Sequence, residues 1–183
     1  MVVHIIQMGN AFMKTFTRLG IILLLSVTSA FASASSKPVK WLDNFAAAQA
    51  AAKKEGRPIL ANFTGSDWCP WCMKLEKEVF SQKEFQNYAS SNLVLFIADF
   101  PNGKRQSAQI AKQNKGLETK YAVKGFPTVL LLDADGNVLG QTGYMPGGAE
   151  PFVENLKNLL DKSGWKPATA TNQTAKAAAP AAK

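Results

Sequence analysis

Histidine and cysteine are scarce in this 183-residue chain, with one histidine, His4, and two cysteines, Cys69 and Cys72. Without a histidine beyond the first few residues, acyl transfer by a Cys–His pair has no base to work with. Disulfide frameworks spread their cysteines along the chain to close long loops. A single Cys-x-x-Cys closes almost no loop and constrains the unfolded chain very little. Structural zinc wants four protein ligands, so the pair could complete a zinc site only if two copies of the chain shared it. A long basic stripe is missing too. Setting aside Lys14, Arg18, Lys166, Lys176 and Lys183, which lie near the two ends, leaves sixteen of the 21 basic residues against thirteen acidic ones. These are scattered, with pairs such as Lys53-Lys54 and Lys104-Arg105, and read as a solvated basic surface rather than a nucleic-acid-binding face.

No apolar run is long enough for a comfortable membrane span of about 20 residues. The longest, Leu19–Val27, follows Lys14 and Arg18 and precedes Ala30-Phe31-Ala32. A basic stretch, a short apolar core and a small-x-small site form a secretory signal pattern, so residues 1–32 are expected to be a signal peptide cleaved before Ser33. An uncleaved anchor is the alternative. Met8 and Met13 are alternative starts, and with no cysteine after the apolar run a lipid-modified N-terminus is not expected. At the other end, residues 166–183 are rich in Ala, Thr and Pro with no large apolar side chain. Such a segment buries too little surface to offset the entropy of ordering and reads as a flexible tail.

Residues 37–165 between them read as one domain. A helix is expected over Trp41–Lys54, closed by Gly56. Pro58–Phe63 reads as a buried strand, followed by a loop and by Pro70 at a helix start that runs to about Phe80. Ser81 and Glu84 have capping-box spacing for a helix to about Ser90. Leu93–Ala98 is an apolar run of buried-strand length, and Lys104–Lys115 reads as a surface helix. Thr128–Leu132 and Val138–Thr142 flank the turn at Asp135-Gly136, and Pro151–Leu160 is an amphipathic helix. Strands separated by helices imply parallel neighbours, and the last two form an antiparallel hairpin. The expected fold is therefore α/β, a mixed central sheet with helices on both faces.

Cys69-Pro70-Trp71-Cys72 sits where a strand hands over to a helix. Cysteines at i and i+3 share one side of a first helical turn, within reach of a disulfide. Free backbone N–H groups and the helix dipole there stabilise a thiolate on the first cysteine. Cys69 is the expected attacking thiolate, and Cys72, one turn deeper and less exposed, the resolving thiol. Trp68 and Trp71 flank Cys69 and are candidates for an apolar rim that docks substrate, with packing over the helix as the alternative. Asp67 reads as a loop residue, and Trp41, Phe45, Phe85 and Phe152 as core.

Phe63–Phe80 resembles the active-site segment of bacterial thioredoxin-like proteins. Gly125-Phe126-Pro127-Thr128 resembles that family's cis-proline loop, and Asp135-Gly136-Asn137 with Gly143-Tyr144 is similar to its terminal hairpin. The resemblance covers about Trp41–Leu160. It implies a thioredoxin-like fold, a cis peptide before Pro127, substrate docking beside Phe126 and Pro127, and a redox-active Cys69–Cys72 disulfide with no other cofactor. Proline lacks an N–H, so a cis form there turns the chain and leaves neighbouring backbone groups free for a peptide.

Aligned on Phe63, the family's buried aspartate is replaced by Asn62. Deprotonation of Cys72 would then fall to water or another group, and Glu76, four residues on, is a candidate relay set beside a plain surface role. DsbA-type oxidants carry a histidine between their cysteines; Pro70 and Trp71 stand here instead. The expectation is a potential nearer thioredoxin and glutaredoxin, favouring reduction or isomerisation of protein disulfides. The protein is expected to be periplasmic or secreted and to draw electrons from a membrane-bound donor. A thioredoxin-fold binding or chaperone module, with the redox pair secondary, is the alternative.

Overall fold

Every residue of Ile59–Thr64 is buried, and this strand, β2, lies at the middle of the sheet. The computed structural model describes residues 39–167. The signal peptide read at 1–32, and all of the tail except Lys166 and Pro167, lie outside the described residues. The described sheet has five strands in the order β1-β3-β2-β4-β5. Here β1 is Trp41–Leu42, β3 Val94–Asp99, β4 Thr128–Leu132 and β5 Val138–Thr142. β2 pairs parallel with β3 and antiparallel with β4, and β4 pairs antiparallel with β5. A strand paired on both edges and covered on both faces has no use for polar alternation, which accounts for the continuous apolar runs.

Alternate residues of β2 feed two cores. Leu60 packs with Leu75, Val79, Phe85, Phe152 and Leu156, from the helices on one face. Ile59, Ala61 and Phe63 pack with Phe45, Ala48, Ala52 and Leu117 on the other. These helices are α1 (Phe45–Glu55), α2 (Pro70–Leu75), α3 (Lys83–Asn92), α4 (Ala108–Lys120) and α5 (Ala149–Ser163). The α/β layering expected from the strand and helix order is present.

Four departures of the element boundaries from the sequence reading have identifiable causes. Trp41 and Leu42 are not helical: they pair with Leu95 and Phe96 of β3, and the helix starts only after Asn44, whose Oδ1 accepts from Ala47 N at 2.9 Å. Gly56 does close α1, in the left-handed region at φ 63°. The helix after Pro70 leaves α geometry at Glu76 and continues to Phe80 as a π-helical turn. Ser81 ends that turn instead of opening α3: its N–H and Oγ both donate to Glu76 O, at 2.9 and 2.8 Å, so the hydroxyl is not free to cap. The last shift is at α4. The backbone N–H groups of Asn102, Gly103 and Lys104 are held by the Asp67 carboxylate. The helix begins only beyond this tied segment, where Ser107 caps α4, its Oγ accepting from Ile110 N.

Candidate active site

The chain leaves β2 at Thr64 and enters α2 at Pro70 through a loop pinned at several points. Gly65 O accepts from Cys69 N at 2.9 Å, and Ser66 donates through N and Oγ to the Asp99 carboxylate at 2.9 and 2.7 Å. Asp67 reaches across to residues 102–104, and those three N–H groups, Asn102 first, hold its carboxyl below the usual range. This is the loop role expected of Asp67. The end of β3 and the segment after it therefore fix the approach to Cys69.

Cys69 and Cys72 are joined in a disulfide with their Cα atoms 5.2 Å apart. Cys69 is the N-cap of α2, Pro70 occupies the first turn, and Cys72 N–H points at Cys69 Sγ at 3.2 Å. That N–H would favour negative charge on Cys69 Sγ once the disulfide opens. Exposure does not rank the two as expected, since each is 4% exposed. The asymmetry is in the hydrogen bonding: the cap position and the helix N–H both serve Cys69.

The Phe126–Pro127 peptide is cis. A Cβ on Gly143 would lie 3.0 Å from Pro127 O, so the segment after β5 runs directly against the proline. Phe126 stacks on Phe100 at 4.9 Å and meets Trp68 edge-on at 5.9 Å. Trp68 is tied further by Nε1 donating to Phe100 O at 2.7 Å, yet it is 42% exposed. Trp71 is 56% exposed and Met73 46%. Both tryptophans thus present apolar surface beside the disulfide, and Trp68 does so in contact with Phe126.

Asn62 sits on β2 opposite Val129 of β4 and Ile97 of β3. Strand alternation puts it on the same face as Leu60, whose core includes Leu75 and Val79 from the active-site helix and its π turn. It is 5% exposed, and its Oδ1 has no hydrogen-bond partner. Glu76 is on the solvent side, its Oε1 accepting from Ser81 Oγ at 3.2 Å.

Sequence reasoning assigned no site role to Lys74, Glu78, Tyr144 and Phe100. Lys74 Nζ lies 5.3 Å from the Trp71 ring centroid and 5.1 Å from that of Tyr144, and Tyr144 Oη donates to Glu78 Oε2 at 2.8 Å. The one local signal was the i, i+4 spacing of Lys74 and Glu78. Among the described residues no group of three or more His, Cys, Asp or Glu is placed to hold a metal ion.

A dithiol–disulfide pair at a strand-to-helix junction, beside a cis-proline in a β1-β3-β2-β4-β5 mixed sheet, defines a thioredoxin-type redox site. A family model described as a thioredoxin-like domain matches residues 45–159. The Disulfide bond reductase DsbH of Chlamydia pneumoniae is 34% identical over 122 residues, covering 67% of this chain and 73% of DsbH. The Thioredoxin-related protein DsbJ of the same organism is 27% identical over 158 residues, covering 82% of this chain but only 45% of DsbJ. A solved DsbH oxidoreductase structure superposes with a TM-score of 0.66 at 33% identity, covering 69% of this chain and 87% of that one. The chain belongs to the thioredoxin-like family and is a thiol–disulfide oxidoreductase whose redox centre is its own cysteine pair.

Proposed function

We propose that this protein works in the reducing direction outside the cytoplasm, opening or rearranging disulfides of exported proteins. Cys69 thiolate attacks one sulfur of a substrate disulfide. The substrate S–S bond breaks, a Cys69–substrate bond forms, and the other substrate sulfur leaves as a thiolate and takes a proton. Cys72 then loses its proton and attacks Cys69 Sγ, releasing the second substrate thiol and closing the Cys69–Cys72 disulfide. Two electrons have passed from the protein to the substrate. A dithiol donor must return them, and in an oxidising compartment a membrane-bound one fits best, since free thiols do not persist there. Trp68, Trp71, Phe126 and Pro127 line the place where the substrate chain would dock.

The observation that carries the direction is the pair of residues between the cysteines. Pro70 and Trp71 offer no cation to the Cys69 thiolate, so the reduced form lacks the extra stabilisation that makes a strong oxidant. The DsbH relative, named a disulfide bond reductase, supports the same direction. Titration against glutathione should give a potential near those of thioredoxin and the glutaredoxins, roughly −200 to −270 mV. A value close to about −120 mV would overturn the reductive reading. Insulin reduction by the wild type and not by Cys69→Ser is expected; binding of unfolded insulin without its reduction would instead mark a chaperone module.

A further inference from the structure

An indole that is 56% exposed on the first turn of a helix ordinarily samples several rotamers, and ordering it on substrate binding costs entropy. Trp71 is not left in that state. Its ring lies against Tyr144 at 5.2 Å with the planes tilted by 40°, and Lys74 Nζ stands 5.3 Å from Trp71 and 5.1 Å from Tyr144. Aromatic pairs and cations over ring faces are attractive at these separations. Glu78 closes the circuit: Oε2 accepts from Tyr144 Oη at 2.8 Å, and Oε1 lies 3.9 Å from Lys74 Nζ. The Tyr144 hydroxyl and the charge of Glu78 both raise the Lys74 ammonium above its ordinary value.

Tyr144 comes from far along the chain, on the segment that follows β5. Its neighbour Gly143 is the residue whose missing side chain lets that segment pass Pro127 O. One short stretch of backbone therefore meets the cis-proline loop and also supplies the ring behind Trp71. Trp68, before Cys69, is held independently by Phe100 and Phe126.

We propose that Tyr144 is a positioning residue. Through Lys74 and Glu78 it fixes Trp71 as a preformed wall of the docking cleft, and so sets the affinity for substrates with a large apolar residue beside their disulfide. The proposal rests on the reading of Trp71 as part of the docking rim. None of Tyr144, Lys74 or Glu78 is assigned a part in the thiol chemistry, so their effect belongs in KM and not in kcat.

The test uses the full chain and three disulfide substrates: a peptide with Phe next to its cysteine, the same peptide with Ser in that place, and glutathione disulfide. Tyr144→Leu removes the ring and the hydroxyl. It should raise KM for the Phe peptide about tenfold with kcat unchanged, the effect falling on that substrate alone. Tyr144→Phe keeps the ring and loses the hydroxyl, with its bond to Glu78 and its interaction with Lys74, and should restore most of the affinity. The potential against glutathione should match the wild type in both. If Tyr144→Leu does not fold, Glu78→Gln retains an acceptor for Tyr144 but removes the charge beside Lys74. It should give about a threefold rise in KM, again confined to the Phe peptide.

An unchanged KM for the Phe peptide, an equal loss on all three substrates, or a loss in kcat would each overturn the proposal while leaving the enzyme a reductase. Wild-type protein that reduces none of the three would overturn the reductive reading, and the proposal with it.

Discussion

Replacing Asn62 by aspartate asks how Cys72 loses its proton. Asn62 is 5% exposed, on the face of β2 that packs beneath the active-site helix, and its Oδ1 already lacks a donor. A carboxylate of the same shape would put charge where even a neutral acceptor is unsatisfied. Desolvation should raise the introduced carboxyl by about 3 pH units above its unfolded value near 3.9, equivalent to about 4 kcal/mol. The folded value is the higher one, so the variant should match wild type most closely below about pH 4. Its relative stability should then fall by about 1.4 kcal/mol per pH unit up to about pH 7 and level off above that. If Asn62 holds the place of the family's buried aspartate, the same shift gives the resolving thiol a base matched to neutral pH, and positioned bases of this kind contribute about a hundredfold or more. Urea unfolding at pH 5 and pH 8 measures the first effect. Stopped-flow decay of the mixed disulfide in single turnover measures the second, with at least about a tenfold acceleration expected at pH 7.5. If the stability loss appears and the resolution rate stays within a factor of two of wild type, the placement of Asn62 near the Cys72 proton is refuted.

Replacing Asn62 by leucine removes the orphaned acceptor and should raise stability by about 1 kcal/mol in the same urea assay. Cys72→Ser should accumulate a covalent complex with substrate proteins on non-reducing gels, and Cys69→Ser should accumulate none, if Cys69 is the attacking sulfur. A Cβ at Gly65 would come within 2.4 Å of Trp68 Cε2, so Gly65→Ala must displace the indole and its bond to Phe100 O. A loss of about 1–3 kcal/mol, seen as a lowered Tm with an altered near-ultraviolet circular dichroism spectrum, is expected. The Asp67 carboxyl is lowered in the fold, so its contribution is present above about pH 4 and disappears as pH falls through the folded value. The Tm gap between wild type and Asp67→Ala should accordingly narrow between about pH 5 and pH 2.

Features carried by one stretch of chain were legible in the sequence. Thr128–Leu132 and Val138–Thr142 have the bounds their residues suggest, and Leu93–Ala98 is displaced by a single residue. Burial on both faces writes itself into a strand as an unbroken apolar run, and the hairpin turn is marked by Asp135-Gly136. The Cys-x-x-Cys pair was legible for the same reason, being a local motif, and the cis peptide before Pro127 followed from the family resemblance of its loop. What escaped depends on partners distant in sequence. Asp67 holds backbone groups 35 to 37 residues away, in the stretch read as the start of α4. Ser81 has a capping-box neighbour in Glu84, but its hydroxyl is claimed by the π turn behind it. The Trp71 circuit joins Glu78 to Tyr144, 66 positions further on, and no periodicity connects them. Cys69 and Cys72 were expected to differ in exposure, but both are 4% exposed, and position along a helix does not register burial by chain from elsewhere.

The borders of the sheet bear on what this protein can safely handle. One outer strand, β1, is two residues long. The other, β5, has five, and its ladder with β4 is broken by an irregularity at Leu131/Leu132. An unpaired strand of good length and regular pleat invites any extended polypeptide to zip onto it, and such zippering seeds aggregates. Chains with wrong or unfinished disulfides are extended polypeptides of that kind. Under the proposed function, short and irregular borders would leave such a client few hydrogen bonds to recruit, so contact with it would stay at the rim around the cysteines and end when the thiols part.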